Sequence, residues 1–249
     1  MALSDTEQLA QWVEDSQHIV VLTGAGISTE SGIADFRSED GLWRDETLMT
    51  SMSEGFLKMF PREFWQQFRD TFWVPEYLNA KPNPAHLLPA MWERRGKNIQ
   101  IFTQNVDGLH QLAGSTKVWE LHGNIRSAYC PRCRERYSME DVIVRDVPRC
   151  SWMNIKGDIC DSILYPGMVL FEQSIHHYIE AFDAVRHCDL LLIMGTSLSV
   201  DPVADLPNHR PHNTAKMVIV NLAPTYLDGE ADLVIRGRVG EVLSQLLEP

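Results

Sequence analysis

The sequence predicts an α/β protein built on a doubly wound parallel sheet, with two insertions forming a smaller module. Three observations lead there. Short apolar runs at 18–22, 98–102, 118–121, 190–194, 217–220 and 233–235 read as strands covered on both faces. Helical patterns at 53–72, 84–95, 174–187 and 239–247 lie between or after these runs, and such alternation argues for right-handed crossovers. Two stretches break the rhythm: residues 41–81 are helical and rich in aromatics, and residues 126–163 are polar and carry four of the five cysteines.

Ser4-Asp-Thr-Glu7 has the spacing of a capping box, so an amphipathic helix is expected first, with Leu9, Trp12 and Val13 on one face. The strand at 18–22 then ends in Thr23-Gly24-Ala25-Gly26. Glycines there let a phosphate approach the backbone, and the helix expected next would add amide donors and a favourable dipole. A tight turn alone would look the same, and Thr29 leaves the dinucleotide fingerprint GxGxxG incomplete. In Asp35-Phe36-Arg37 the arginine suits a phosphate beside an aromatic that shields it from water, or pairs structurally with Asp35.

The strand at 98–102 delivers Gln104, Asn105 and Asp107 at its C-terminal end, where open α/β sheets place their ligands. These side chains suit ribose hydroxyls or a carboxamide. The run at 118–121 delivers His122, a candidate general base near neutral pH. His110 reads as a packing or capping residue. Gly195-Thr196-Ser197 closes the strand at 190–194 and Asn221 closes the one at 217–220, so small and hydroxyl-binding groups gather at one sheet edge. Asn221 fits a ribose ligand or a turn cap equally.

Thirty-four acids against twenty-two bases give a net charge of -12, which argues against direct nucleic-acid binding and suits basic peptides or plain solubility. The longest apolar run, 190–194, is far too short for a bilayer, and no charged-then-apolar segment opens the chain; a cytoplasmic protein with no membrane partner is expected. Cys130 and Cys133 form a CxxC, and Cys150 and Cys160 complete four thiols. Structural zinc is the best reading, because a thiolate site can organise a polar module with little core of its own. No secretion signal supports disulfides, and no thioredoxin-like pattern surrounds the CxxC. Cys188 reads as a buried core thiol.

Taken in order, GAGIS at 24–28, DFR at 35–37, TQNVD at 103–107, LHG at 121–123, the four cysteines, GTSLSVDP at 195–202 and Asn221-Leu222 resemble the sirtuin family of NAD-dependent protein lysine deacylases. The likeness runs from about Val20 to Val239. It implies a single catalytic domain: a large Rossmann-like part (1–40, 82–125 and 164–249), with a small module made of the helical insertion 41–81 and the zinc-binding insertion 126–163.

By resemblance, Gly24, Ala25, Gly26, Asp35, Arg37, Gly195, Thr196, Ser197, Asn221, Leu222 and Val239 would hold the cofactor NAD. Gln104, Asn105 and Asp107 would position its nicotinamide end, with Ile27 and Phe36 lining that pocket. Asn105, Asp107 and His122 would be the catalytic set. The acyl oxygen of the substrate lysine would attack the anomeric carbon as nicotinamide leaves, and His122 would then activate a ribose hydroxyl to receive the acyl group.

The segment 164–173 resembles the family's peptide-pairing strand, with Val169, Phe171 and Val200 lining the acyl-lysine tunnel of a protein or peptide substrate. It departs from the usual pattern at Tyr165, normally basic, and at Glu172-Gln173, normally Gly-Glu; Ala34 replaces a usual proline. Relatives selective for acidic acyl groups carry a Tyr and an Arg where Phe68 and Thr71 stand here, so neutral acyl groups are expected, acetyl foremost. The competing readings are a protein ADP-ribosyltransferase or NAD glycohydrolase using the same NAD site, and a nonenzymatic NAD or acyl-lysine sensor.

Overall fold

The computed structural model describes residues 3–35 and 46–247; Phe36 and Arg37 lie outside them. The chain begins with α1 (Asp5–Asp15), β1 (His18–Thr23), α2 (Glu46–Ser51), α3 (Glu54–Met59), α4 (Pro61–Phe72) and α5 (Pro75–Leu78). It continues through α6 (Pro84–Arg94), β2 (Asn98–Thr103), α7 (Leu109–Ala113), β3 (Val118–Glu120), β4 (Ser127–Tyr129), β5 (Arg136–Ser138) and α8 (Met139–Val142). It ends with β6 (Tyr165–Pro166), α9 (Tyr178–His187), β7 (Leu190–Met194), β8 (Lys216–Asn221), β9 (Leu233–Arg236) and α10 (Val239–Ser244).

The chain divides into two compact units. The first comprises Met1–Asp35, Ala80–Leu121 and His177–Pro249. It holds a six-stranded parallel sheet in the order β3-β2-β1-β7-β8-β9. β7 is buried along its whole length, and β1 and β8 are buried at all but their first residues, as expected of strands covered on both faces. The predicted capping box is present: Ser4 accepts from Glu7 N while the Glu7 carboxylate accepts from Ser4 N. α1 thereby lays Leu9 and Val13 into the core with Ile19, Val21, Leu190 and Leu192. Chain order reverses between β1 and β7, the switch point at which open sheets take ligands. Register sets Thr23 opposite Thr103 on one side and Met194 on the other, so Gly24, Gln104 and Gly195 leave the sheet at one level.

The second unit comprises Phe36–Asn79 and His122–His176. Leu164–His176 falls here because Tyr165–Pro166 supplies an outer strand of the antiparallel sheet β5-β4-β6. The helical pattern at 53–72 is broken into α3 and α4. Pro61 lacks an N–H and takes the first position of a new helix, after Phe60 leaves the helical region at φ -131, ψ 61. α4 buries Phe64, Trp65, Phe68 and Phe72, and Phe72 packs edge-on against Tyr77 of α5. α9 starts at Tyr178, later than the pattern at 174–187, since His177 sits in the left-handed region at φ 54. No described helix is long and apolar enough to cross a membrane.

Candidate active site

At the switch point the loops after β1 and β7 touch backbone to backbone. Gly24 N donates to Met194 O at 3.2 Å and Gly26 N to Gly195 O at 2.8 Å. A Cβ on Gly26 would lie 2.8 Å from Gly195 O, and one on Gly195, itself at φ +60, would lie 2.4 Å from Ile27 N. These glycines are therefore required by the approach of two loops, before any ligand is considered. In place of the α-helix expected after them, the chain makes two single 3-10 turns, Ala25–Ile27 and Thr29–Ser31. Short turns carry little dipole, so any anion contact here rests on individual N–H groups.

The neighbouring strand ends are cross-braced. Gln104 Nε2 donates to Thr196 Oγ1 at 3.0 Å, bridging the ends of β2 and β7, and the same oxygen accepts from Leu198 N at 3.2 Å. Ser197 is exposed and its hydroxyl shares a 2.7 Å hydrogen bond with that of Ser199. Buried Asn221 donates through Nδ2 to Ala223 O at 2.8 Å, a turn-capping bond, while Leu222 is exposed. Val239 is buried at the start of α10, and Glu30 reaches that helix: its carboxylate accepts from Gly240 N at 2.6 Å and Glu241 N at 3.0 Å. Ala25 and Asp35 are half-buried, as is Val200, whose carbonyl accepts from Ala204 N.

Ser28 is the centre of the buried part. Its hydroxyl donates to Asp107 Oδ2 at 2.7 Å and accepts from Asn105 Nδ2 at 3.0 Å. Asp107 Oδ1 accepts from Leu109 N at 2.9 Å, so both carboxylate oxygens are oriented. His86 accepts at Nδ1 from Asn83 N, which places its proton on Nε2, facing Ser28 Oγ at 3.4 Å. Burial lowers its pKa to about 4, and burial followed by the proximity of His86 holds His110 well below the ordinary range. Both rings are thus neutral. His110 packs edge-on against His86 and bonds Thr23 Oγ1 at 3.1 Å, the packing role expected of it.

Asn105 Oδ1 is buried with no hydrogen-bond partner among the described residues. A buried amide oxygen left so costs about 1–3 kcal/mol and suits a ligand N–H donor. The site thus offers a carboxamide-type ligand a fixed acceptor beside a fixed carboxylate.

His122 opens the second unit's later segment and is half-buried; its carbonyl accepts from Val169 N at 2.8 Å. Gly123, at φ +66, sits where a Cβ would be 2.0 Å from Gly167 O. The 168–173 segment is held at both ends. Phe171, 38% exposed, pairs with Ser53 through Phe171 N to Met52 O and Glu54 N to Phe171 O. Glu172, at φ +77 where glycine is usual, accepts from Gly55 N at 3.0 Å, and Gln173 Oε1 accepts from Leu170 N at 3.0 Å. The two departures from the family pattern therefore fasten their own segment. Tyr165 packs on Tyr129, and burial raises its pKa. Phe68 is fully buried, and Thr71 Oγ1 accepts from Gln67 Nε2.

The four thiols converge, all within 4.8 Å of one another. Cys130 Sγ and Cys160 Sγ are 3.7 Å apart, and Cys133 Sγ and Cys150 Sγ 3.4 Å. A zinc–sulfur bond of about 2.3 Å implies a tetrahedral edge of roughly 3.8 Å, so the set fits zinc and is too wide for disulfides. Cys130 and Cys133 form a knuckle, with Cys133 N donating to Cys130 Sγ. The longer spacing of Cys150 and Cys160 is a hairpin: Arg149 pairs with Ile163 and Met153 with Ile159, which sets Cys150 opposite Ser162 and Cys160 opposite Trp152, two residues apart in register. Burial pushes the remaining thiol, Cys188, up to about 12, as befits a core residue.

Sequence reasoning passed over Ser28, Glu30 and His86. Asn83-Pro84-Ala85-His86 did carry a signal, since Asn at the cap, Pro at the first helical position and a polar residue at the third make a capping box, which the structure shows.

A model of the Sir2 family matches residues 24–202. The NAD-dependent protein deacetylase of Bacillus subtilis (strain 168) is 44% identical over 236 residues, covering 94% of this chain and 96% of that protein. A Sir2 structure with a deacetylated p53 peptide and 3'-O-acetyl ADP ribose is 37% identical, with a TM-score of 0.86 and 97% of each chain covered. Sir2Tm bound to a propionylated peptide is 36% identical, with a TM-score of 0.83 and 98% of each covered. With the parallel sheet, the loop motifs at its switch point and the four-thiol cluster agreeing, the chain belongs to the Sir2 family.

Proposed function

We propose that this protein is an NAD-dependent protein lysine deacetylase that frees lysine by moving its acyl group to ADP-ribose, releasing nicotinamide. The observation that carries the reading is Asn105 Oδ1, buried without a partner among the described residues, beside the oriented Asp107 carboxylate at the C-terminal end of β2. Asn105 Oδ1 would accept from the nicotinamide carboxamide, and Asp107, steadied by Ser28, would orient the same end of the cofactor. Gly24, Ala25, Gly26, Ile27, Asp35, Phe36, Arg37, Gln104, Gly195, Thr196, Ser197, Asn221, Leu222 and Val239 complete the NAD site in this reading.

Bound NAD supplies a ribose that loses nicotinamide and accepts the acyl group. His122 takes the proton of a ribose hydroxyl at a ring nitrogen, which requires a neutral imidazole at working pH. Val169, Phe171 and Val200 contact a neutral acyl-lysine side chain on a protein or peptide, acetyl foremost. Zinc held by Cys130, Cys133, Cys150 and Cys160 is structural, and four reduced thiolates suit the cytoplasm. In this reading the unit of Met1–Asp35, Ala80–Leu121 and His177–Pro249 is the Rossmann-like part and the unit of Phe36–Asn79 and His122–His176 the small module of one catalytic domain.

Mass spectrometry of an acetyl-lysine peptide incubated with NAD tests this. The expected products are deacetylated peptide, nicotinamide and O-acetyl-ADP-ribose, with product lost in His122→Ala. Nicotinamide release without deacetylation would overturn the reading in favour of a glycohydrolase, and wild-type turnover by His122→Ala would remove the role given to that residue.

A further inference from the structure

Cys150 has a hydrogen-bonding neighbour outside the four thiols. The Tyr137 hydroxyl, carried by β5, lies 3.1 Å from Cys150 Sγ. The same oxygen accepts from Ser151 N at 3.0 Å and from Trp152 N at 3.2 Å. A phenol has one proton to give and lone pairs to accept with. Two backbone N–H groups occupy the accepting side, so the proton is directed at sulfur. A metal-bound cysteine is a thiolate with nothing to donate, which fixes the same direction.

The first knuckle and the hairpin solve one problem in two ways. In the knuckle, Cys133 N donates directly to Cys130 Sγ at 3.4 Å. On the hairpin, the two amides after Cys150 point at the tyrosine oxygen instead, and the phenol passes a single, directed O–H to the thiolate. We propose that Tyr137 is a positioning residue of the metal centre: its O–H···S bond orients the Cys150 thiolate and tunes its donor strength, standing in for the knuckle amide. This rests on the four thiols holding zinc.

The full-length protein and Tyr137→Phe are compared in three measurements: zinc content after purification without chelator, zinc release to a chromogenic chelator, and the sulfur-to-metal charge-transfer band after cobalt substitution. One zinc per chain is expected in both proteins. Loss of an outer hydrogen bond should weaken zinc retention about tenfold and move the cobalt band to lower energy, because the sulfur lone pairs are no longer stabilised. Wild-type protein without zinc would overturn the metal reading itself. Zinc in both with equal release and an unmoved band would overturn the role of Tyr137 alone. Faster release with an unmoved band would also overturn it, since a tyrosine that merely props the hairpin would behave so. Should Tyr137→Phe fail to fold, wild-type chain grown with 3-fluorotyrosine, a stronger O–H donor, should shift the cobalt band to higher energy; no shift would overturn the proposal.

Discussion

The Ser28 hydroxyl donates to Asp107 Oδ2 across 2.7 Å, joining the loop after β1 to the loop after β2 between residues 79 apart in the chain. One hydroxyl thereby holds both a carboxylate and, through Asn105 Nδ2, an amide. Ser28→Ala removes the bond both share inside a buried site and should cost about 1–3 kcal/mol of stability. Misplacing the nicotinamide-facing pair should also weaken NAD binding by about tenfold. Urea denaturation and calorimetric NAD titration would show it; wild-type values in both would mean that Ser28 is a bystander.

Gly26→Ala and Gly195→Ala should lower stability through packing alone, whatever they do to NAD binding. The first forces a Cβ to 2.8 Å from Gly195 O, and the second to 2.4 Å from Ile27 N at a left-handed φ. Overpacking of this kind costs about 1–3 kcal/mol, and the left-handed position adds about 1–2 kcal/mol. Gly195→Ala is therefore expected to melt earlier than Gly26→Ala, and the reverse order in calorimetry would contradict the packing described.

The neutral histidines make stability depend on pH with a definite sign. His86 has its pKa lowered from 6.5 to about 4, so between those values the unfolded chain binds a proton that the folded chain does not. Stability is full above the unfolded value and falls as pH drops towards 4. Linkage gives a loss of about 2 kcal/mol at pH 5 from His86 alone, and buried His110 acts in the same direction. Denaturation at pH 7 and pH 5 should show a smaller difference for His86→Gln than for the wild type; an equal difference would place the proton elsewhere.

Removing zinc should affect the two units unequally. The β5-β4-β6 sheet has strands of three, three and two residues, while the first unit has a six-stranded sheet in which β1, β7 and β8 are buried almost throughout. After chelation, hydrogen exchange should accelerate across residues 127–166 and remain slow in β1, β7 and β8. Uniform acceleration would mean that the metal stabilises the whole chain cooperatively.

The strands were legible because β1, β7 and β8 are covered on both faces and so read as unbroken apolar runs. The site was legible in part for a related reason: Gln104, Asn105 and Asp107 sit close together at a strand end. Ser28, His86 and His110 meet from three separate loops and helices, a convergence no local pattern records. The break at Phe60 was hidden because apolar spacing continues through it, from Leu57 to Phe64. The Cys150–Cys160 hairpin was obscured by its length, since its pairing depends on the backbone bonds of Arg149 and Ile163 rather than on side-chain type.

That hairpin separates two jobs that a short knuckle combines. The metal-facing geometry is set at its base, where Cys150 N meets Ser162 O and Asp161 N meets Cys150 O, whereas the turn around Asn154 and Asp158 supplies no ligand. Because closing a longer loop costs only a fraction of a kcal/mol per few added residues, the tip is the natural place to graft a foreign peptide or an affinity epitope. The thiolates would act as a clasp on such an insert, presenting it at a fixed root with its sequence free to vary.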